Sequence, residues 1–243
     1  MLYQVKPGQL SYGEAIGILL LENYVPYVPG DVANATTYRY PVRFQRVPGF
    51  TVKRIMAHDM TVVDELIAAA VSLQAEGVRA ITGDCGFMAL YQDRIASQVH
   101  VPVFLSSLAQ IPFMRTLLKP GGQIGIVTAN SKSLDGSVFK GIGIAPGEDL
   151  IVQGLESSPS FYASIFEENG EIDTDKVEQE VVAATQQLIE AHPNITLILL
   201  ECSLLPPYGA AVREATGLPV FDYVTMIDYV FSAVVKQKFS GFM

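Results

Sequence analysis

The sequence predicts an α/β fold whose two halves each contain a parallel β-sheet. Short apolar runs of strand length alternate with segments of helical apolar spacing along most of the chain. The stretch Lys119-Pro120-Gly121-Gly122 interrupts this alternation, which begins afresh at Gln123, so we place a domain boundary there. Cys85 and Cys202 give a third indication, because each follows an acidic residue at the end of a predicted strand and precedes a small residue.

The first half opens on a predicted central strand and a long loop. Ala15–Glu22 is a continuous apolar run, which is typical of a parallel strand buried on both faces. The polar segment 23–38 follows it, and a loop this long in a compact chain is usually functional or disordered. Either it contributes to a site, or its tyrosines cover the core. Further strands are predicted at Thr51–Ala57, Val78–Thr82 and Val101–Leu105, and helices at Thr61–Glu76, from about Met88 to Val99, and at Ser107–Leu118.

The second half repeats the alternation. The run Thr196–Leu200 is followed by Glu201, Cys202 and a Pro-Pro break, which puts Cys202 at the carboxyl end of a buried parallel strand. Ligands bind at that edge of open α/β sheets. If a pseudo-twofold axis relates the halves and they share a cleft, the two cysteine loops face each other. The other predicted strands are Gln123–Val127, Leu150–Gln153 and Val220–Phe221, and the predicted helices are Ser131–Lys140, Thr174–Ala191, one from Ala210, and Thr225–Phe239.

Composition excludes several classes of function. The chain carries 16 Lys and Arg against 25 Asp and Glu, a formal charge of −9, and no basic cluster, which argues against nucleic acid as a partner. It shows neither an apolar run long enough for a membrane span nor a secretory signal pattern, so we expect a cytoplasmic protein with free thiols and no membrane partner. The histidines have no ligand-like spacing to the cysteines, so no metal is expected. Gly121-Gly122-Gln123-Ile124-Gly125 is not a dinucleotide fingerprint, and no lysine stands in a Schiff-base context, so no cofactor is expected.

The two cysteine elements, the strand Ile124–Thr128 and the Pro206-Pro207-Tyr208 that follows Cys202 resemble the aspartate/glutamate/hydantoin racemase superfamily. The resemblance extends over nearly the whole chain. It implies two similar doubly wound parallel-sheet domains related by a pseudo-twofold axis, with the active site in the cleft between them. It also implies a first domain of residues 1–118 plus 219–243, a second domain of residues 119–218, and a homodimer as one assembly that this superfamily forms.

The resemblance also assigns the site. Cys85 and Cys202 match the cysteines that the cofactor-independent racemases place on opposite sides of the substrate. Sequence motifs that accompany these cysteines in glutamate racemases are missing, which argues against glutamate as the substrate. The residues that match substrate-binding positions are Gly86, Phe87, Ser203 and Leu204 through their backbone amides, and Thr128, Asn130 and Ser131 in the turn after the first strand of the second half. The residues themselves add Asn34 from the long loop and Ser106 as candidate donors to a carboxylate.

The chemistry expected of a cysteine pair is proton transfer next to a carboxylate. Two bases on opposite faces of a carbon remove one hydrogen and return another, and a thiol titrates close enough to neutrality to do either. We therefore predict a racemase or epimerase acting on an amino acid, related carboxylate or hydantoin. An arylmalonate-type decarboxylase or a maleate-type cis–trans isomerase is the alternative on the same fold, and a non-catalytic carboxylate-binding protein is an alternative of another class. Asp84 and Glu201 are expected to point away from their neighbouring cysteines, because successive side chains of a strand alternate.

Overall fold

The computed structural model describes residues 2–243, which form two parallel β-sheets with flanking helices. The strands are β1 (Ile16–Glu22), β2 (Val42–Thr51), β3 (Ala80–Gly83), β4 (Gln123–Thr128), β5 (Leu150–Gly154), β6 (Ile195–Leu200) and β7 (Val220–Phe221). The first sheet has the order β2-β1-β3 and the second β5-β4-β6-β7, and the paired strands run parallel. The predicted fold class is confirmed.

The helices alternate with the strands along much of the chain, and the last one follows β7. They are α1 (Val52–Met56), α2 (Val63–Ala75), α3 (Gln92–Ala96), α4 (Ile111–Leu117), α5 (Gly136–Gly141), α6 (Pro159–Ile165), α7 (Thr174–Ala191), α8 (Gly209–Thr216) and α9 (Tyr223–Val234). Short 3₁₀ turns occupy Gly86–Tyr91 after the first cysteine and Pro206–Tyr208 after the second. Each cysteine therefore lies between the end of a strand and the start of a helical turn.

Both faces of β1 are buried, as its apolar run predicts. Ile16 and Ile18 pack with residues of α9, whereas Leu19 and Leu21 belong to the apolar cluster that contains α2. That cluster also includes Ile124 and Leu197 from the second sheet, so one core joins the two halves. Residues of β4 and β6 that face the other way pack with α7 in a separate cluster.

A glycine in the opening strand of each half brings a helix close to the sheet. A Cβ on Gly17 of β1 would lie 2.9 Å from a methyl group of Leu73 in α2. A Cβ on Gly125 of β4 would lie 3.0 Å from a methyl group of Leu188 in α7. The same packing in both halves is consistent with a pseudo-twofold repeat.

The loop that leaves β1 crosses to the second half. Val25 is buried in the apolar cluster of α7, and Tyr27 packs against that cluster. Gly30 lies against Pro207, since a Cβ at position 30 would be 2.9 Å from the Pro207 Cα. The backbone N–H of Val32 donates to the Ser203 carbonyl oxygen at 3.4 Å. The loop is thus ordered by contacts with the turn that carries the second cysteine.

Two predicted elements of the first half are wrong. Thr51–Ala57 is not a strand, because β2 ends at Thr51 and α1 begins at Val52. The Thr51 side chain accepts a hydrogen bond from the Arg54 N–H at 3.4 Å, which caps the helix. Val101–Leu105 contributes only an isolated parallel bridge between Ile81 and Val103, so it does not form a regular strand.

The second half differs from the prediction in smaller ways. Helix α6 was not predicted, and the helix expected from Ser131 begins only at Gly136. Strand β7 pairs with β6, so Val220–Phe221 lies in the second sheet, near the start of the segment 219–243 that was predicted to return to the first domain. Helix α9 does pack against the first sheet. The division into domains otherwise stays a prediction, and no helix within residues 2–243 combines the length and apolar character that a membrane crossing requires.

We expect Gly17→Ala to lower the free energy of unfolding by about 1–3 kcal/mol, because the new methyl group overpacks the contact with Leu73. Gly136→Ala is the matched control, since a Cβ there meets nothing within 4 Å. It should change stability by less than about 1 kcal/mol. Urea denaturation of the two variants measures the difference, and equal stabilities would contradict the proposed packing role of Gly17.

Candidate active site

Cys85 and Cys202 lie on one cleft between the two sheets. Each is the second residue after its strand, β3 for Cys85 and β6 for Cys202. The cleft has a free volume of about 30 Å³, which is room for little more than water. Its lining residues are Leu21, Asn23, Val52, Ile55, Met56, Asp84, Cys85, Gly86, Phe87, Ala129, Ile165, Glu201, Cys202, Ser203 and Leu204.

The two thiols have matching electrostatic surroundings. Burial raises the pKa of both above the ordinary value for cysteine, and the negative charges of Glu201 and Asp84 raise both further. In the opposite direction, the N–H of Phe87 lowers the pKa of Cys85, and the N–H of Leu204 lowers that of Cys202. In both halves, the thiol therefore interacts with the backbone N–H two residues further along the chain. Because the pKa of each thiol is raised, both thiols are protonated in the unliganded protein at neutral pH.

Asp84 and Glu201 line the same cleft as the two cysteines, although strand alternation predicted that each points away from its neighbouring cysteine. Side chains alternate only within a strand, and β3 ends at Gly83 while β6 ends at Leu200. Both oxygens of Asp84 lie 3.1 Å from the Leu21 N–H, and burial raises the pKa of Asp84 to about 7. Burial likewise raises the pKa of Glu201 to about 7.

Glu201 reaches from the second half to the turn of the first cysteine. Its Oε2 accepts a hydrogen bond from the Thr128 hydroxyl at 2.7 Å, whereas Oε1 is buried without a partner among the described residues. A Cβ on Gly86 would lie 1.6 Å from Oε1. A side chain at position 86 therefore cannot coexist with this position of Glu201, which gives the small residue after Cys85 a steric reason.

Hydroxyl groups hold the two cysteine turns together. The Ser203 hydroxyl donates to the Asp84 carbonyl oxygen, which joins the turn of one cysteine to that of the other. The Ser107 hydroxyl donates to the Glu201 carbonyl oxygen at 3.0 Å. The backbone of both turns is thus fixed across the cleft by donors from the opposite half.

The predicted substrate contacts divide into two groups. Gly86, Phe87, Ser203 and Leu204 line the cleft with the cysteines. The remaining candidates are not among its lining residues, and their polar atoms bind other groups of the protein. Thr128 binds Glu201, Asn130 accepts from the amides of Lys132 and Ser133, Ser131 donates to Glu156 at 2.5 Å, Asn34 donates to the Tyr27 carbonyl oxygen at 2.9 Å, and Ser106 caps the turn at Leu108.

The apolar wall of the cleft was not predicted from the sequence. Val52, Ile55 and Met56 of α1 line it, and Asn23 and Ile165 complete it from other elements. The spacing of the three apolar residues on α1 is helical, and that signal identifies the wall once Thr51 is recognised as a cap. Neither Lys, Arg nor His contributes to the lining, and residues 2–243 contain no cluster of side chains suited to a metal ion. The site is therefore acidic and thiol-containing.

Solved structures with a similar chain fold place this protein among the racemase and decarboxylase folds. Arylmalonate decarboxylase aligns with a TM-score of 0.60 at 18% identity, covering 92% of this chain and 94% of that one. Allantoin racemase from Pseudomonas fluorescens aligns with a TM-score of 0.60 at 15% identity, covering 91% of each chain. Picrophilus torridus aspartate racemase gives 0.54 at 12% identity, covering 91% of this chain and 94% of that one. The resemblance to the aspartate/glutamate/hydantoin racemase superfamily is thus confirmed at the level of the fold.

Sequence relatives define the family more narrowly. The chain is 32% identical over 235 residues to the dimethylsulfoniopropionate lyase of Durusdinium sp. clade D, covering 93% of this chain and 77% of that protein. It is 33% identical over 238 residues to dimethylsulfoniopropionate lyase 3 of Emiliania huxleyi, covering 93% of this chain but only 61% of that longer protein. No protein-family model matches the sequence. The chain belongs to the dimethylsulfoniopropionate lyase family.

Alkylation of Cys85 should depend steeply on pH. Because burial and neighbouring negative charges raise its pKa, we expect the rate of reaction with iodoacetamide to keep increasing beyond pH 9. Glu201→Gln removes a charge that is present above pH 7, so it favours the thiolate and should move the curve to lower pH by roughly one pH unit. Peptide mass spectrometry measures the modification. Glu156→Gln, outside the cleft lining, should leave the curve in place, and a wild-type midpoint near 8.5, the ordinary value for cysteine, would contradict this electrostatic account.

Proposed function

We propose that this protein is a lyase that cleaves a sulfonium carboxylate of the dimethylsulfoniopropionate type. The relatives described above are named dimethylsulfoniopropionate lyases, which supports this proposal. The observation that carries the proposal is the composition of the cleft, which combines two thiols with two buried carboxyl groups and has no basic side chain in its lining. Such a site favours a substrate with a positive charge close to the reacting carbon.

The proposed reaction is an elimination. A thiolate removes a proton from the carbon next to the substrate carboxylate, and the electron pair of that C–H bond forms a carbon–carbon double bond. The bond between the β-carbon and sulfur breaks, and its electron pair remains on sulfur. The products are acrylate and neutral dimethyl sulfide, and the thiol later releases its proton to water. One base on one face is sufficient for this reaction.

The positive charge of the substrate lowers the high pKa of the thiols. In the unliganded cleft, burial and two carboxyl groups oppose formation of a thiolate. A sulfonium bound beside these groups adds a positive charge that favours the thiolate, and the amides of Phe87 and Leu204 act in the same direction. The substrate carboxylate then needs neutral donors, for which the backbone amides of Gly86 and Ser203 are the candidates.

Racemisation or epimerisation is the second candidate. It is favoured by one observation, namely that Cys85 and Cys202 reach the same cleft from opposite halves. Decarboxylation of a malonate and isomerisation of maleate fit less well, since both substrates bring two negative charges to a lining with Asp84 and Glu201 and no cation. A non-catalytic role has no observation of its own in favour.

Purified wild-type protein should release dimethyl sulfide and acrylate from dimethylsulfoniopropionate, as measured by gas chromatography and absorbance. Because elimination needs one base, Cys85→Ser and Cys202→Ser should differ, with one variant losing at least about a thousandfold in kcat/KM and the other retaining measurable turnover. The variant Ser131→Ala, whose hydroxyl binds Glu156 outside the cleft lining, is the control and should remain active.

A parallel assay in deuterated water separates the two candidates. Single enantiomers of amino acids and hydantoins are incubated with the protein, and exchange of the α-hydrogen is followed by NMR. Exchange with inversion, abolished equally by both cysteine variants, together with no release of dimethyl sulfide, would replace the lyase proposal by the racemase.

A further inference from the structure

We propose that Glu201 is the specificity-determining residue of the cleft and that its unpaired oxygen is the counter-charge for the sulfonium of the substrate. This inference deepens the lyase proposal and rests on it. Glu201 comes from the second half, yet its Oε1 lies against Gly86, the residue that follows Cys85. The carboxyl group therefore reaches the turn of the first cysteine and lines the same cleft as Cys85.

The burial of Glu201 without a full set of partners is the central observation. The residue is 1% exposed, and its Oε2 is held by the Thr128 hydroxyl at 2.7 Å. Oε1 has no hydrogen-bond partner among the described residues although it is buried. Such a group costs free energy unless something else compensates it. A ligand that supplies positive charge at this position compensates it.

The side chains that line the cleft indicate which type of cation it binds. A sulfonium carries its charge on an atom without N–H or O–H groups, so it needs an opposing charge and apolar surroundings but no set of acceptors. Val52, Ile55 and Met56 provide an apolar wall to the same cleft. A primary ammonium group carries three donors that each require an acceptor. The combination of one unpaired carboxylate oxygen and apolar side chains therefore favours a fully alkylated cation.

Asp84 is the other carboxyl group of the cleft, but it is already engaged. Both of its oxygens lie 3.1 Å from the N–H of Leu21, which ties this side chain to the end of β1. Its position is thus explained by a backbone contact of the first half. Glu201 has no equivalent bond on Oε1, which is why the counter-charge is assigned to Glu201.

The test compares two unreactive carboxylates of the same shape. In 3-(trimethylammonio)propanoate the distal atom is a quaternary nitrogen, and in 4,4-dimethylpentanoate it is a neutral carbon. Titration calorimetry should show that wild-type protein binds the cation at least about tenfold more tightly. Glu201→Gln keeps the size of the side chain and an acceptor for Thr128, so it should reduce this preference to below about threefold while leaving the affinity for the neutral compound within about threefold.

Two further variants test whether the effect is specific to Glu201. Glu156→Gln makes the same change at a carboxylate that does not line the cleft, and it should keep the wild-type preference for the cationic compound. Asp84→Asn should keep most of that preference. The inference is overturned if Glu201→Gln retains the preference, if it weakens both compounds equally, if Asp84→Asn alone abolishes the preference, or if wild-type protein shows none.

The release of dimethyl sulfide by the same preparation separates this inference from the proposed function. A cation preference that depends on Glu201, without turnover of dimethylsulfoniopropionate, would remove the proposed reaction and leave the charge recognition standing. Turnover with a preference that Glu201→Gln does not change would remove only the role of Glu201.

Discussion

The site depends on the contact between two turns that belong to different sheets. The Ser203 hydroxyl binds the Asp84 carbonyl oxygen, and the Glu201 side chain rests on Gly86. Each turn follows a buried parallel strand, so its position is set by the core beneath it. Because the two sheets share an apolar cluster, the cores and the turns are placed as one unit. The cleft between the cysteines is the gap that this arrangement leaves.

The electrostatics of the cleft follow from the same arrangement. Turning the chain after each strand brings an acidic side chain as well as a thiol into an apolar space, and burial then raises the pKa of all four groups. Burial therefore disfavours the negatively charged form of each of these groups in the unliganded state. A ligand with a positive charge favours the charged forms again, and this distinguishes the site from sites lined by arginine or lysine, which suit dicarboxylates.

Sequence patterns were sufficient where burial alone decides the structure. The apolar runs of β1, β4 and β6 predicted the sheets, and the repeated setting of Cys85 and Cys202 predicted that both reach one site. Patterns failed at Thr51–Ala57, where an apolar run predicted a strand. Strand β2 instead ends at Thr51, which caps α1, and α1 forms a wall of the cleft.

The acidic neighbours show a further limit of pattern reasoning. The alternation rule applied to Asp84 and Glu201 assumed that the strands continue through them, but β3 and β6 end one residue earlier. The donors expected from Asn34, Ser106, Asn130 and Ser131 are committed to turns and caps, which is the ordinary use of such residues near loops. Only the three-dimensional structure distinguishes a hydroxyl group that caps a helix from one that faces a ligand.

The loop between β1 and β2 has a consequence for how this architecture can change over time. It leaves the first sheet, inserts Val25 into the second core and rests Gly30 on Pro207. Neither half is therefore a self-sufficient module that recombination can exchange intact for a counterpart from another protein. New substrate preferences on this scaffold are more accessible through paired changes on facing surfaces, such as positions 86 and 201, than through replacement of a whole half.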